Sequence, residues 1–182
     1  MKTKKRSKIA EEELFGFIEN ERARKKLKGS EQRIRKSFQE LLSGYGLRAE
    51  DVLNEVVRVS GYTGLVCVQD INFYSFCEHH FAPFFGTASV TYEPGKIITG
   101  LGKIIRLVRD VHSRRLQIQE MMTKEIAEDI MRVLGAKGAL VETTAKHLCT
   151  CSRGPKDDTA MATVVYGCGS LRNMARGRTS AK

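Results

Sequence analysis

The stretch Ser75-Phe76-Cys77-Glu78-His79-His80-Phe81-Ala82-Pro83-Phe84 constrains this chain more than any other. It places one thiol and two imidazoles within four residues, between two apolar runs. Two of the chain's four histidines are here, and a third, His147, stands two residues before Cys149. Cys77-x-x-His80 is a spacing that lets both side chains reach one ion from a loop. The second cluster, His147-Leu148-Cys149-Thr150-Cys151, reads as part of a strand, whose alternation puts His147, Cys149 and Cys151 on one face. A Cys-His-Cys zinc site can then form from Cys77, His80 and either Cys149 or Cys151, and strand alternation does not choose between them. Three protein donors leave the fourth zinc position open, as hydrolytic sites require. Using both Cys149 and Cys151 would instead close the site into a structural staple. Small buried thiols without metal are the third alternative.

Composition narrows the setting. The hydrophobic fraction of 41% supports a real core. No run approaches the ~18 consecutive apolar residues of a membrane helix, and the basic N-terminus has no apolar segment of the secretory kind. The expectation is a cytoplasmic protein that does not enter membranes. Five cysteines in a reducing compartment argue for metal ligation or plain burial rather than disulfides. The formal net charge of +10 belongs to the two ends: residues 1–36 carry 13 Lys/Arg and 6 Asp/Glu, and residues 171–182 carry four Lys/Arg and no acid. Basic tails solvate or loosely contact polyanions more often than they read sequence, which argues against nucleic-acid binding as the main function.

Along the chain, residues 1–8 read as a disordered basic arm and 9–60 as a helical region. Helix is expected from Ile9 to about Leu27 with Leu14, Phe15 and Ile18 as its apolar stripe, stopped by Gly29. A second helix follows Ser30 as N-cap, carrying Ile34, Phe38, Leu41 and Leu42, and Ser43-Gly44-Tyr45-Gly46 breaks it. Val52, Leu53, Val56 and Val57 suggest a third, short helix. Residues 61–170 then read as a mixed domain. Strands are expected at Gly64–Ile71 and Phe84–Tyr92, with Cys77–His80 in the loop between and a turn at Pro94-Gly95. Helices follow from Lys103 to about Ser113 and from Gln117 to Leu134. Ile118, Met122, Ile126, Ile130 and Leu134 of the latter, each four apart, read as core packing. Ala139–Cys149 and Ala160–Tyr166 complete a β-β-α-α-β-β order. Residues 171–182 form a short basic tail.

Other residues carry weaker signals. His79 and His147 are not needed for a three-donor site and suit proton transfer near neutral pH, against the plain alternative of hydrogen-bonded core histidines. His112, in a charged helix end, reads as a solvated surface residue. Cys67 and Cys168 read as small apolar strand positions. Lys103 and Arg106 share a helix face behind the turn Gly100-Leu101-Gly102, which makes an anion cradle or an ordinary solvated charge pair. Arg153-Gly154 adds a cation beside the thiols. Glu120 opens an apolar helix, where a carboxylate suits the dipole or can accept two N–H groups of a planar ligand.

Together, Ser75–Phe84, the Gly-Leu-x-Lys-x-x-Arg run at Gly100–Arg106, Arg115–Glu120, and His147-Leu148-Cys149 with Arg153-Gly154 resemble the GTP cyclohydrolase I family. The resemblance spans about Arg33 to Gly169, and Ser43-Gly44-Tyr45-Gly46 fits it. It implies an α+β tunnelling fold: an antiparallel sheet with two helices, preceded by N-terminal helices. Subunit sheets would join into pentameric rings that stack as a homodecamer, with active sites between subunits. It implies Cys77, His80 and Cys149 as zinc ligands, leaving Cys151 outside. The implied activity is that of a hydrolase acting on a cyclic amidine. Water attacks C8 of GTP, and His79 and His147 shuttle protons. Formate and 7,8-dihydroneopterin triphosphate, a precursor of tetrahydrofolate or other pterins, are the products. Glu120 would grip the guanine with Gln119 beside it. Leu101, Gly102, Lys103, Arg106 and Arg153 would meet the triphosphate. The chain departs from the family at Gly102, where Ser is usual, at Ala160 and Ala162, where hydroxyls are common, and at Gln32, where Pro is common. The usual C-terminal helix gives way to the basic tail. These departures touch phosphate binding and the periphery. They keep two alternatives in view: a relative on the same scaffold acting on another purine nucleotide, and a zinc-stapled module whose tails bind nucleic acid.

Overall fold

A computed structural model describes residues 16–178, with side chains described to 175. The basic arm at 1–8, Leu14 and Phe15 of the first expected helix, and the end of the tail lie outside the described residues. Two compact units divide at Glu40 and Leu41.

In the first unit, helix α1 is Glu21–Leu27, later than expected, so Ile18 precedes it. Asn20 caps it by accepting from the Ala23 N–H at 3.0 Å. Gly29, at φ +84°, breaks the chain before α2, Glu31–Leu41. The Glu31 carboxylate accepts from the Gly29 N–H, and Ser30 Oγ accepts from Arg33.

In the second unit, the expected third helix is corrected. Helix α3 is only Ala49–Val52, and Val56–Arg58 is strand β1. It pairs antiparallel with β4, Ile97–Thr99, because two β-branched runs lie within reach after the turn. The main sheet is built on β2, Val66–Cys77, and β3, Ala82–Glu93. Strand β2 outruns its β-branched stretch. A bulge between Val68 and Ile71, with Asp70 at φ +55°, re-registers it, and it continues to Cys77. Cys77 is therefore the last strand residue, and only residues 78–81 form the reversal. Phe81 at φ +52° closes it, donating its N–H to Cys77 O at 2.8 Å.

Helix α4, Leu101–Arg106, runs on as a π-helix over Leu107–His112. The widened turn is visible in Ser113 N–H donating to Val108 O at 2.9 Å, and the Ser113 hydroxyl also serves the Val108 and Arg109 carbonyls. Strand β5, Leu116–Gln117, leads into α5, Gln119–Leu134, which Gly135 ends at φ +57°. Strands β6, Gly138–His147, and β7, Ala162–Gly169, finish the sheet, with the helical turn α6, Leu148–Cys151, between them. The sheet order is β5-β2-β3-β6-β7. The four long strands are antiparallel neighbours, and the two-residue β5 is parallel to β2. The β-β-α-α-β-β order is thus present, with two helices on an antiparallel sheet. The start of the expected basic tail is helical, α7, Arg172–Arg178.

The helical stripe is core as expected. Met122, Ile126 and Ile130 are fully buried with Phe84, Val90 and Tyr92 of β3 and Val141 of β6. Each such side chain contributes about 1.5–3 kcal/mol relative to exposure. A polar knot fixes the near end of the sheet. Gly44 donates to Arg114 O at 3.0 Å, and Arg115 donates back to Gly44 O and Leu47 O at 3.2 and 3.0 Å. A Cβ at Gly44 would lie 2.4 Å from Val111 O, so the Ser43–Gly46 turn needs glycine for close approach, not only to end a helix. Ser75 Oγ then donates to Arg115 O, and Glu78 N–H donates to Gln117 O, tying β5 to the Cys77 end of β2.

Cys67 and Cys168 are strand residues as expected, whereas the expected surface position of His112 is reversed. Cys67 is exposed, because it falls on the outer face of β2. His112 is 2% exposed: its Nε2 lies 3.0 Å from Asp129 and its Nδ1 3.6 Å from Glu125, the latter an ion-pair rather than hydrogen-bond distance. The π-helix turns it inward onto α5, which charge patterning alone could not show. Burial alone would push this imidazole down, but Asp129 and Glu125 outweigh it and raise it above its ordinary value. A raised value means that stability is present while His112 is protonated and is lost as pH climbs through the folded-state pKa. The thermal midpoint of His112→Gln should therefore lie well below that of the parent at pH 6 and approach it by pH 9. Equal gaps at both pH values would show that the ion pairs carry no stability.

Candidate active site

The donors of the two clusters meet. The ligand atoms of Cys77, His80 and Cys149 lie within 4.8 Å of one another, with Cys77 Sγ 3.7 Å from His80 Nδ1. Cys77 comes from the end of β2, His80 from the reversal after it, and Cys149 from the helical turn after β6. Because β6 ends at His147, Cys149 and Cys151 do not alternate on a strand. They sit two apart on one helical turn, where side chains diverge, and Cys151 is outside the group. Two thiols and an imidazole at this separation suit the zinc–sulfur and zinc–nitrogen bond lengths of a tetrahedral ion, about 2.3 and 2.0 Å. Burial, and then the neighbouring Cys77 thiol, push Cys149 up, while a backbone hydrogen bond and, more weakly, the charge of Arg153 draw it down.

Beside the donors is a cavity of about 450 Å³, lined by Gln119, Glu120, Ala145, His147, Thr150, Asp157 and the apolar Pro155, Ala160, Met161 and Ala162. His147 stacks on Phe84 at 4.6 Å with the rings 3° from parallel, a contact set by the pairing of Phe84 with His147 in the β3–β6 ladder. Burial pushes His147 down from its ordinary value, and Glu120 pulls it the other way. Glu120 is exposed into this space at the first turn of α5.

Gln119 sits differently from the expectation of a guanine contact. It is 3% exposed, and its amide N–H groups serve Thr143 O, Thr143 Oγ1 and Ala162 O at 3.0–3.1 Å. Those carbonyls only accept, so the amide orientation is determined. Gln119 Oε1 must then accept from His147 Nε2–H at 2.7 Å, leaving Nδ1 as the basic nitrogen of neutral His147. Thr123 completes the network, donating to Gln119 O and sharing a hydrogen bond with Thr143. No local pattern announces Thr123 or Thr143, whereas Phe84 lies inside the leading stretch.

His79 is exposed on the reversal, its ring 6.1 Å from that of His80. The expected anion cradle is a separate cavity of about 310 Å³, lined by Glu55, Gly100, Gly102, Lys103 and Arg106. Leu101 is exposed next to it. The two cavities share no lining residue.

The sequence profile of GTP cyclohydrolase I matches residues 8–181. The chain belongs to the GTP cyclohydrolase I family. Among its relatives, GTP cyclohydrolase 1 of Wolinella succinogenes is 42% identical over 161 residues, covering 86% of each chain. That of Sinorhizobium fredii is 43% identical over 155 residues, 85% of this chain and 75% of the relative. GTP cyclohydrolase 1 2 of Pseudomonas syringae pv. tomato is 40% identical over 167 residues, 91% of each. An apo crystal structure of the archaeosine synthase QueF-Like superposes on 60% of this chain and 97% of its own, with a TM-score of 0.47 and 15% identity. The family match and these relatives make the enzyme class implied by the sequence motifs that of the GTP cyclohydrolase I family. Among the described residues, no helix is long and apolar enough to cross a membrane.

Proposed function

We propose that the chain is a zinc-dependent, cytoplasmic enzyme that opens the imidazole ring of GTP by hydrolysis, giving formate and 7,8-dihydroneopterin triphosphate. The observation that carries this reading is the convergence of Cys77, His80 and Cys149 next to the cavity of His147 and Glu120. Cys77, His80 and Cys149 would hold the zinc. Bound zinc supplies a Lewis acid that makes a hydrolytic nucleophile available near neutral pH.

The chain's own residues do the rest. Glu120 accepts from the guanine N1–H and 2-amino group. His147, its Nε2–H held by Gln119, offers Nδ1 to take or return a proton. His79, on the reversal and open to solvent, is the second proton carrier. Lys103, Arg106 and Arg153 provide positive charge for the triphosphate, and the Gly102 N–H stands where the family's serine would add a hydroxyl. The guanine and phosphate cavities are separate within one chain, which supports active sites completed between subunits. So do the sheet edges: among the described residues, β7 pairs only with β6, and β5 covers β2 only at Phe76 and Cys77. Open edges of this kind favour edge-to-edge rings, here a pentamer-based homodecamer.

The test is anaerobic incubation of zinc-loaded protein with GTP, then oxidation, pterin fluorescence and a formate count. Equal amounts of pterin and formate are expected. Formate without pterin would mean ring opening without reclosure, and neither product, with zinc in place, would refute the reading.

A further inference from the structure

Lys103 is already occupied. Its side chain is only 15% exposed, and its Nζ lies 2.9 Å from Glu55 Oε1 and donates to Asn54 Oδ1 at 3.2 Å. Both partners are held in place. Asn54 Nδ2 donates to Asp51 O at 2.9 Å, which turns its carbonyl oxygen toward the lysine. The Thr99 hydroxyl donates to Glu55 O at 2.8 Å, next to the start of the β1–β4 ladder where Val56 pairs with Thr99. That ladder brings residues 54 and 55 against the turn that opens α4, although they are nearly fifty positions away in the chain. Glu55 therefore lines the same cavity as Gly100, Gly102, Lys103 and Arg106.

The two partners differ in kind. Asn54 is neutral and can stay beside a bound anion. Glu55 is anionic, and its side chain is 79% exposed, so it can leave without uncovering a buried group. A polyphosphate entering this cavity meets a carboxylate on the lysine it needs, and like charges at that distance repel.

We propose that Glu55 is an internal counter-ion which a polyphosphate displaces from Lys103, making residue 55 a determinant of phosphate affinity at this site. The proposal rests on the reading of Lys103 as a phosphate ligand. Asn54 keeps the ammonium in place during the exchange, and only an anion with several charges recovers what the lost carboxylate contributed.

The test is direct calorimetric binding of inorganic triphosphate, and separately of guanosine, to the full-length zinc-loaded protein. Glu55→Gln keeps the shape and an acceptor oxygen, and should lower the triphosphate dissociation constant about two- to fivefold, the range of exposed ion pairs. Asn54→Asp adds a second carboxylate and should raise it. Guanosine binding should not change in either variant. The gap between parent and Glu55→Gln should narrow as salt is added. Unchanged or weaker triphosphate binding in Glu55→Gln, with Lys103→Ala weakening it, would overturn the counter-ion role alone. If Lys103→Ala left triphosphate binding intact, the phosphate-site reading would fall and the counter-ion role with it.

Discussion

Cys149→Ala should lose bound zinc and turnover together. The variant leaves Cys77 and His80 as the only donors of the group, with His80 on an exposed reversal. Two donors do not complete a zinc site whose usual protein complement is three or four. Lewis-acid stabilisation is worth several kcal/mol of barrier, at about 1.4 kcal/mol per tenfold, so turnover should fall about a thousandfold or more. Metal analysis after dialysis should fall from near one zinc per chain to background. The fold should survive, because Cys149 sits on a four-residue turn after β6 rather than within the β3–β6 ladder. Cys151→Ala is the matched control, since that thiol stands outside the group and should keep both metal and turnover. Full turnover by metal-free Cys149→Ala, or loss of zinc from Cys151→Ala, would remove the site as described.

Gly86→Ala should cost more stability than any other small substitution in the sheet. A Cβ at Gly86 would lie 1.9 Å from Thr144 O and 2.8 Å from Ala145 Cα. Both are backbone atoms of β6, so no rotamer change relieves the clash. Ordinary overpacking costs about 1–3 kcal/mol when side chains can adjust. Here the strands must separate, and the loss should take a large part of the 5–15 kcal/mol that holds a typical domain folded. The damage also reaches the chemistry, because the same ladder pairs Phe84 with His147 two residues along. Any folded fraction should therefore turn over more slowly than its population predicts. Gly102→Ala is the contrast: nothing lies within 4 Å of a Cβ there, and stability should stay within about 0.5 kcal/mol. A parental thermal midpoint for Gly86→Ala would contradict the packing described between β3 and β6.

Much of this protein was legible along the chain, and the legible parts share a cause. Cys77-x-x-His80 works over one turn of backbone. The Met122-Ile126-Ile130-Leu134 stripe repeats with the period of a single helix. The glycine stops at Gly29 and Gly135 act on their own dihedral angles. Short-range geometry of this kind is written locally, so motif and element order were both readable, and the family with them.

Where an element ends, and what a side chain then faces, depended on residues far away. Strand alternation could not separate Cys149 from Cys151, because β6 stops at His147 and a helical turn follows. Val56 and Val57 became a strand when Ile97–Thr99 came alongside. His112 looked solvated among its charged neighbours, yet the π-helix turns it onto Asp129, and burial raised the worth of that ion pair. Gln119 looked free to hold a base until Thr143 and Ala162, 24 and 43 positions away, took its N–H groups. The sequence by itself determined which donors and which helical faces exist. The tertiary structure alone decided which of them meet, because a buried polar group takes whichever partner the packed chain brings within hydrogen-bond reach, at whatever distance in sequence.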